Sequence, residues 1–333
     1  MPNDQAHDTR TTTPANRLAQ AVGLNVAARA ALSPVSGGGE WPAEFDGTIV
    51  VSSRFESANK TPEVNDVGFT WSDTSIASVV TMDPDPLIVY DMNGPANTRP
   101  DDLTTDWTAK SGDYSLRLRA NAGSVWPEQS FYMTGPSLKT VWLAWDMRVP
   151  VNFDHQPRPD GGVGNNNKLF RLYTSPNKST DNGSMIGMEF RRSSLNEGPA
   201  PGTYWTGPGS SYWYVKLGSE FQSSGDKLAT DGSDPRGRFI TIPNDLGRWM
   251  RVVIKAKTSS SYGALDGSIE IWRKWEDETD FTKEFDFQNQ GLPCDEITGN
   301  GFLSGYLFGY QNMPYAVDTD FLFDNFKIAR GIE

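Results

Sequence analysis

Residues 248–257 read RWMRVVIKAK, and the pattern of this stretch indicates the fold. Successive side chains of a β-strand point to opposite faces of its sheet, so residues two apart share a face. One face of this stretch is apolar and the other is mostly basic, which predicts a half-buried strand. The apolar face holds Met250, Val252, Ile254 and Ala256, and the other face holds Arg251, Val253, Lys255 and Lys257.

The same alternation recurs between residues 85 and 330, as in TVWLAWDMRV at 140–149. Clusters of Gly, Pro, Asn, Asp and Ser separate these short segments, which is typical of a β-sandwich. We therefore predict an all-β chain folded as a two-sheet antiparallel jelly-roll sandwich. Further predicted strands are YSLRLRA (114–120), SMIGMEFRR (184–192), SYWYVKLG (211–218), GSIEIWRKW (267–275), GYLFGYQN (305–312) and DFLFDNFKIA (320–329).

The N-terminal part of the chain has a different sequence pattern. Residues 15–34 read ANRLAQAVGLNVAARAALSP, and their four-residue apolar spacing predicts one short amphipathic helix. Three glycines at 37–39 then form a predicted flexible joint. We predict two parts, an arm at 1–44 and a sandwich at 45–333, with the arm anchoring the protein to a partner.

Composition excludes several classes of protein. The 333 residues carry a formal net charge of −12, whereas proteins that hold nucleic acid need a basic surface. A single cysteine, Cys294, excludes an internal disulfide, and two histidines make a Cys/His zinc site a poor hypothesis. The sequence has neither 18 consecutive apolar residues nor a secretory signal pattern, so we expect no membrane span and a location in a virion or outside the cell without that signal.

The order of the strands resembles that of the concanavalin A-like jelly rolls of the polysaccharide-lyase type. The resemblance rests on KSGDYSLRLRA, SLKTVWLAWDMRVPVNFD, NNNKLFRLYTS, SMIGMEFRR and SYWYVKLG, and on the hairpin GRWMRVVIKAKT…DGSIEIWRKW with the closing DTDFLFDNFKIA. It covers residues 86–330. The fold that it implies is shared by lectins, hydrolases, lyases and passive virion domains, so it does not by itself assign an activity.

If the chain were a lyase, the resemblance would point to Lys168, to Arg191 or Arg192, and to Tyr212 and Tyr214. A lyase neutralises the sugar carboxylate, removes the adjacent proton and protonates the leaving oxygen, and these residue types suit those steps.

Other residues are candidates for holding a sugar. Strand alternation places Lys216 on one face with the two tyrosines, and tyrosine rings cover sugar faces. Ordinary solvent-facing strands use the same residue types, so that alternative stays open. The glycan-binding candidates are Arg192, Trp205, Lys216, Tyr310 and Gln311, and we expect Gln311 and Asn312 to join the tyrosine face.

The sequence argues against two further catalytic arrangements. His155 lies in the Pro-rich segment FDHQPRPD, and we expect a surface loop histidine rather than a base. Retaining glucanases of this fold carry E-x-D-x-x-E, which places two carboxylates on one strand face. The sequence lacks that string; we interpret EWPAEFD (40–46) and EDETD (276–280) as solvated turns and reject the class.

We predict no cofactor, with calcium as the alternative. Asp318, Asp320 and Asp324 are spaced to share a strand face, and calcium prefers oxygen ligands. Capping of turns and strand ends is the use that we favour for them.

The leading hypothesis is a non-enzymatic, phage-type virion surface protein that decorates a capsid or forms part of a fibre and binds glycans. Its expected partners are other virion proteins, through the arm, and cell-surface glycans, and we expect an oligomer or a place in an assembly. The alternatives are a polysaccharide lyase that cleaves a uronic-acid polymer by β-elimination and a stand-alone carbohydrate-binding module.

Overall fold

A computed structural model gives the fold of the chain. It describes residues 39–72, 77–81, 109–125, 129–155, 166–174, 185–192, 211–217, 238–242, 244–261, 264–292, 301–309, 311 and 313–333. The predicted N-terminal helix lies outside these residues. Every regular element in the described part is a β-strand, and that part contains no helix able to span a membrane.

Sheet A has nine described strands. Its main order is β14-β13-β12-β7-β16-β1-β2, while β5 pairs with β16 and β4 pairs with β5. The strands are β1 (Thr48–Ser53), β2 (Val64–Asn65), β4 (Ala77–Thr81), β5 (Tyr114–Ala120), β7 (Thr140–Arg148), β12 (Trp249–Lys257), β13 (Gly267–Trp275), β14 (Thr282–Gln290) and β16 (Thr319–Arg330).

Sheet B has seven described strands in the order β11-β10-β9-β8-β15-β6-β3. They are β3 (Phe69–Trp71), β6 (Gln129–Met133), β8 (Asn166–Tyr173), β9 (Met185–Arg192), β10 (Ser211–Leu217), β11 (Arg238–Ile240) and β15 (Ser304–Leu307). All described pairings in both sheets are antiparallel.

The core lies between the two sheets, as the alternation in the sequence predicts. Trp145 of β7 approaches Phe170 of β8 with ring centroids 5.8 Å apart, and Phe308, just after β15, lies 4.2 Å from Phe321 of β16. The predicted apolar face of β12 belongs to this core in full. The prediction of an all-β, two-sheet antiparallel sandwich is confirmed in the described part of the chain.

The C-terminal strand β16 is the described strand of sheet A that pairs with three others. Its first half pairs with β5 and its second half pairs with β1, while β7 lies along its other side. The register with β7 shifts between Asp324 and Lys327, and Asn325 in this bulge has a φ of +48°. Asparagine tolerates this left-handed conformation better than most residues. β16 therefore pairs with β5 and then β1 along one edge, and with β7 along the other.

The outer face of sheet A is buried by a second aromatic cluster. Trp142 of β7 and Trp272 of β13 stack with centroids 5.3 Å apart, and Trp142 is 0% exposed. Phe45 packs edge-on against Trp142 at 5.3 Å, and Trp41 stacks on Phe45 at 4.1 Å. The expectation of half-buried strands was therefore wrong for β7 and β12, because residues 40–46 cover the face that the pattern assigned to solvent.

Residues 40–46, which we call the strap, are also held by polar contacts. Asp46 accepts a hydrogen bond from the Trp142 indole N–H at 2.7 Å and pairs with Lys255 at 3.0 Å. Glu40 pairs with Lys327, and its carbonyl accepts from Arg251. The interpretation of EWPAEFD as a solvated turn is confirmed for Glu40, Ala43, Glu44 and Asp46, which are exposed, and was wrong for Trp41 and Phe45, which pack on sheet A. The predicted boundary between 44 and 45 stays a prediction.

Two buried carboxylates face each other beside the strap. Asp146 and Asp324 are register partners on β7 and β16, 4% and 0% exposed. Asp146 accepts from Arg251 at 3.0 Å and from Asn325 at 2.8 Å. Asp324 accepts backbone N–H bonds from Lys110, Ser111 and Asn325. Burial and the neighbouring Asp146 raise the pKa of Asp324 to about 7, although these N–H donors favour the ionised form.

Removing the Phe45 ring should loosen the strap. We expect Phe45→Ala to lower the free energy of unfolding by about 1–3 kcal/mol, less than for a fully buried phenylalanine, because the ring is only half-buried. Chemical denaturation followed by tryptophan fluorescence measures the change. Phe45→Leu is the matched control and should lose less. Equal stability of the alanine variant and wild type would show that the strap does not support sheet A.

The titration of Asp324 should make stability depend on pH. The folded protein keeps this proton up to about pH 7, whereas an unfolded aspartate loses it near its usual value of about 4. Rising pH within that window should therefore destabilise the fold, by at most about 1.4 kcal/mol per pH unit. Asp324→Asn should remove this contribution. Denaturation of both proteins from pH 4 to pH 8 measures it, and parallel stability curves would contradict the assignment.

Candidate functional site

The face of sheet B that points away from the core carries the candidate site. Met188 and Phe190 of β9 are buried in the core, so the residues between and beside them on this strand lie on the opposite face. On β8 the core residues Phe170 and Leu172 leave Arg171 and Tyr173 on the opposite face. A bulge between Lys168 and Phe170 interrupts the alternation there, so Lys168 lies opposite Glu189 on the outward face. Antiparallel pairing then places the register partners of outward positions on that same outward face.

Two adjacent rows contain the residues that the lyase resemblance singled out. In one row Tyr214 of β10 pairs with Glu189 of β9, which pairs with Lys168 of β8. In the next row Tyr212 pairs with Arg191, which pairs with Asn166. The structure therefore brings Lys168, Arg191, Tyr212 and Tyr214 to one face. Their catalytic roles stay a prediction.

A third row extends this face and includes residues that the sequence did not single out. It runs from Lys216 through Gly187 and Arg171 to Tyr306. The Arg171 guanidinium carbon lies 5.9 Å from the Tyr306 ring centroid. Tyr306 in turn packs against Tyr173 with centroids 6.2 Å apart, in a cluster separate from the core. The alternation in FRLY (170–173) is the sequence signal that could have identified two of these residues. It places Arg171 and Tyr173 on the face that points away from the core.

We call this set the basic-aromatic face. Its four cationic positions are Lys168, Arg171, Arg191 and Lys216, against one acidic position, Glu189, in the three rows. The chain as a whole has a net charge of −12. The charge of these rows is therefore opposite in sign to that of the protein. Aromatic and cationic side chains on one sheet surface are able to hold an anionic sugar, because rings cover sugar faces and cations pair with carboxylates.

Two of the glycan-binding candidates do not share this face. Arg192 pairs with the buried Ser211 and lies one residue from Arg191, so the backbone register assigns it to the other face. Gln311 is 0% exposed and forms a bridge with Asn167 on the core side. The expectation that Gln311 joins the tyrosine face was wrong. Lys216 does lie on that face, while Trp205, Tyr310 and Asn312 are outside the described residues.

Gln311 instead belongs to a buried amide network that fixes the start of β8. The Asn167 side chain donates to Gln311 Oε1 at 2.6 Å, and Gln311 Nε2 donates to the Ser124 carbonyl at 2.7 Å. The N–H of Gly309 donates to the Lys168 carbonyl at 2.8 Å. These bonds hold the strand on which Lys168 lies.

His155 occupies the core rather than the surface. It is 0% exposed and lies between the rings of Phe153 and Phe190, at 5.9 Å and 5.4 Å. The prediction of a surface loop histidine was wrong, because the aromatic side chains at this end of the sandwich enclose the segment. Tyr315 is also buried in this region, and burial raises the pKa of its hydroxyl well above the usual value. Neither residue belongs to the basic-aromatic face.

The three aspartates considered for calcium have protein partners. Arg119 pairs with Asp320 at 2.8 Å and with Asp318 at 3.4 Å, while Asp324 accepts the backbone N–H bonds described above. Asp318 also accepts from the N–H of Ala122 at 2.7 Å. Across the described part of the chain, no group of three or more His, Cys, Asp or Glu residues is arranged to hold a metal ion.

Comparison with known proteins gives matches only among solved structures. No protein-family model and no curated protein sequence matches the chain. The chain is similar to the PL-14 alginate lyase from Aplysia kurodai, at 14% identity over 77% of this chain and 99% of that chain, with a TM-score of 0.42. It is also similar to the alginate lyase vAL-1 from Chlorella virus, at 14% identity over 67% and 87%, with a TM-score of 0.35.

A plant lectin gives a similar degree of likeness. Lectin II from Ulex europaeus is 10% identical over 66% of this chain and 87% of that chain, with a TM-score of 0.37. These likenesses concern the sandwich fold, and at such scores they assign no ligand, activity or residue to this chain.

Proposed function

We propose that the chain is a glycan-binding jelly-roll protein and that its ligand is an anionic saccharide held on the basic-aromatic face. The observation that carries the proposal is the register of β8, β9 and β10. It gathers Lys168, Arg191, Tyr212, Tyr214 and Lys216 on one face of sheet B.

The chemistry of this face suits an anionic sugar better than a neutral one. Tyrosine rings contribute apolar contact to the sugar face, and their hydroxyls bond to polar groups. Cations within a Debye length attract a negatively charged polymer even when the remaining surface is acidic. The acidic net charge of the chain therefore does not oppose binding at this place.

We further propose that the protein displays this face on a particle of the phage-virion type, outside the cell, as part of an assembly. The N-terminal arm would bind other virion proteins. Support comes from the strap, because it attaches residues 40–46 to the outer face of sheet A. The basic-aromatic face belongs to sheet B, on the other side of the core.

A polysaccharide lyase acting on a uronic-acid polymer is the second candidate function. The observation in its favour is that Lys168 and Tyr214 share one row, with Arg191 and Tyr212 in the next. In β-elimination, a cation would neutralise the sugar carboxylate, a basic side chain would take the proton beside it, and an acid would protonate the leaving oxygen. A stand-alone carbohydrate-binding module would use the same face without these proton transfers.

Binding and cleavage are separated by one experiment on uronate polymers. Wild type should bind at least one polymer of a panel in calorimetry, and Lys168→Ala and Tyr214→Phe should each weaken binding about 3- to 30-fold, since each removes one polar or charged contact. Lys257→Ala and Tyr114→Phe are matched controls on sheet A and should bind as wild type does.

Ultraviolet absorbance of the same mixtures reports unsaturated products. Product formation that both face variants abolish would overturn the binding-only function in favour of the lyase. Failure of wild type to bind or cleave any polymer of the panel would overturn the assignment of the face.

The role of the arm is tested by a deletion that spares the strap. A chain lacking residues 1–38 should keep the unfolding free energy and the glycan affinity of wild type, because Glu40–Asp46 remains in place. It should lose incorporation into particles when expressed with its partner proteins, measured by co-sedimentation. A chain lacking residues 1–46 should in addition be less stable. Normal incorporation of the first deletion would contradict the anchoring role.

A further inference from the structure

In the basic-aromatic face, Arg171 lies between a glycine and a tyrosine on the two neighbouring strands. Its register partners are Gly187 on β9 and Tyr306 on β15. A Cβ at position 187 would lie 2.9 Å from Arg171 Cγ and 3.5 Å from Nε. The stem of the arginine therefore uses the space that the missing side chain leaves.

The backbone does not require glycine at position 187. Its φ is outside the left-handed region, since it is absent from the positive-φ glycines of the described strands. Glycine inside a strand weakens that strand and often marks a close approach by another group. The close approaches at this position are those of the Arg171 side chain and of the Phe170 carbonyl oxygen, which would lie 3.2 Å from a Cβ.

On the opposite side, Tyr306 limits the movement of the Arg171 guanidinium. Its carbon lies 5.9 Å from the Tyr306 ring centroid, within the range of a cation–π contact. Tyr306 is 4% exposed and is itself packed against Tyr173, so the ring is a fixed surface. Arg171 itself is half-buried.

We infer that Arg171 is the residue of this face that selects sugars bearing a carboxylate, by a paired hydrogen bond from its guanidinium. This inference rests on the proposed glycan binding. Arginine presents a planar fork that matches a carboxylate, whereas lysine presents a point charge on a flexible stem. Lys216 and Lys168 attract the polymer, and Arg171 fixes the orientation of one sugar unit. Gly187 is a positioning residue, because it acts through Arg171.

The test compares acidic and neutral versions of one ligand. Calorimetry measures binding of galacturonate, mannuronate and guluronate hexasaccharides and of their carboxyl-reduced forms. Arg171→Lys and Arg171→Gln should weaken binding of the acidic form that wild type prefers by about 10- to 100-fold, as expected for a lost charged hydrogen-bond pair. Affinity for the reduced form should change less than about 2-fold. Gly187→Ala should reproduce part of this loss, because its methyl group displaces Arg171.

Controls make the outcomes distinct. Arg54→Gln, at an exposed position after β1, should bind both forms as wild type does, and thermal unfolding verifies that each variant is folded. Arg171→Lys with wild-type affinity, or an equal loss for acidic and reduced forms, would overturn the inference and leave glycan binding intact. Absence of wild-type binding to every hexasaccharide would overturn the proposed function together with the inference.

Discussion

The pairing register of the sheet B strands, with its two-residue period and the one bulge in β8, is the constraint on which both the core and the candidate site depend. On β9 the core receives Met188 and Phe190, and the positions between them and beyond them form the opposite face. A slip of one residue in the pairing of this strand would exchange the two sets. The hydrophobic free energy of the core therefore also fixes which charged and aromatic side chains lie together outside.

Sheet A differs from sheet B, because its outer face carries large aromatic side chains among its charged ones. The inner face packs on sheet B, and the outer face holds Trp142 and Trp272. Exposed tryptophans of this size would be an aggregation hazard. The strap covers them with two aromatic rings and places Glu40 and Asp46 over Lys327 and Lys255. Seven residues thus cover the outer aromatic cluster and pair two of the cations beside it.

The fold could be predicted from the sequence because the two-residue alternation of each strand is visible within a few consecutive residues. Alternation in residues 248–257 identifies β12, and similar stretches identify most other strands of the sandwich. The strap was missed because its contacts are distant in sequence, as between Glu40 and Lys327. A short segment without a period gives no local sign of such contacts. His155 was misplaced for the same reason, since Phe190, 35 positions later in the numbering, helps to enclose it.

The residue types of the candidate site could be predicted from the sequence. The pairing of these residues across neighbouring strands could not. Alternation alone could not choose between Arg191 and Arg192, because that choice depends on the pairing of β9 with β10. Arg171 and Tyr306 were missed because their contact joins β8 to β15, more than 100 residues apart in the numbering. Placement of side chains across strands is a property of the whole sheet, which single segments do not encode.

The strap also affects how the protein would respond to a pulling force. A pull on the chain that precedes Glu40 would reach the sandwich at Glu40, where side-chain contacts hold the chain. Those contacts would yield before β1, whose backbone hydrogen bonds to β16 and β2 share the load along the strand. Release of the seven residues 40–46 would add about 20–25 Å of chain. The strap would thus act as an extensible link that absorbs a pull while both sheets stay folded.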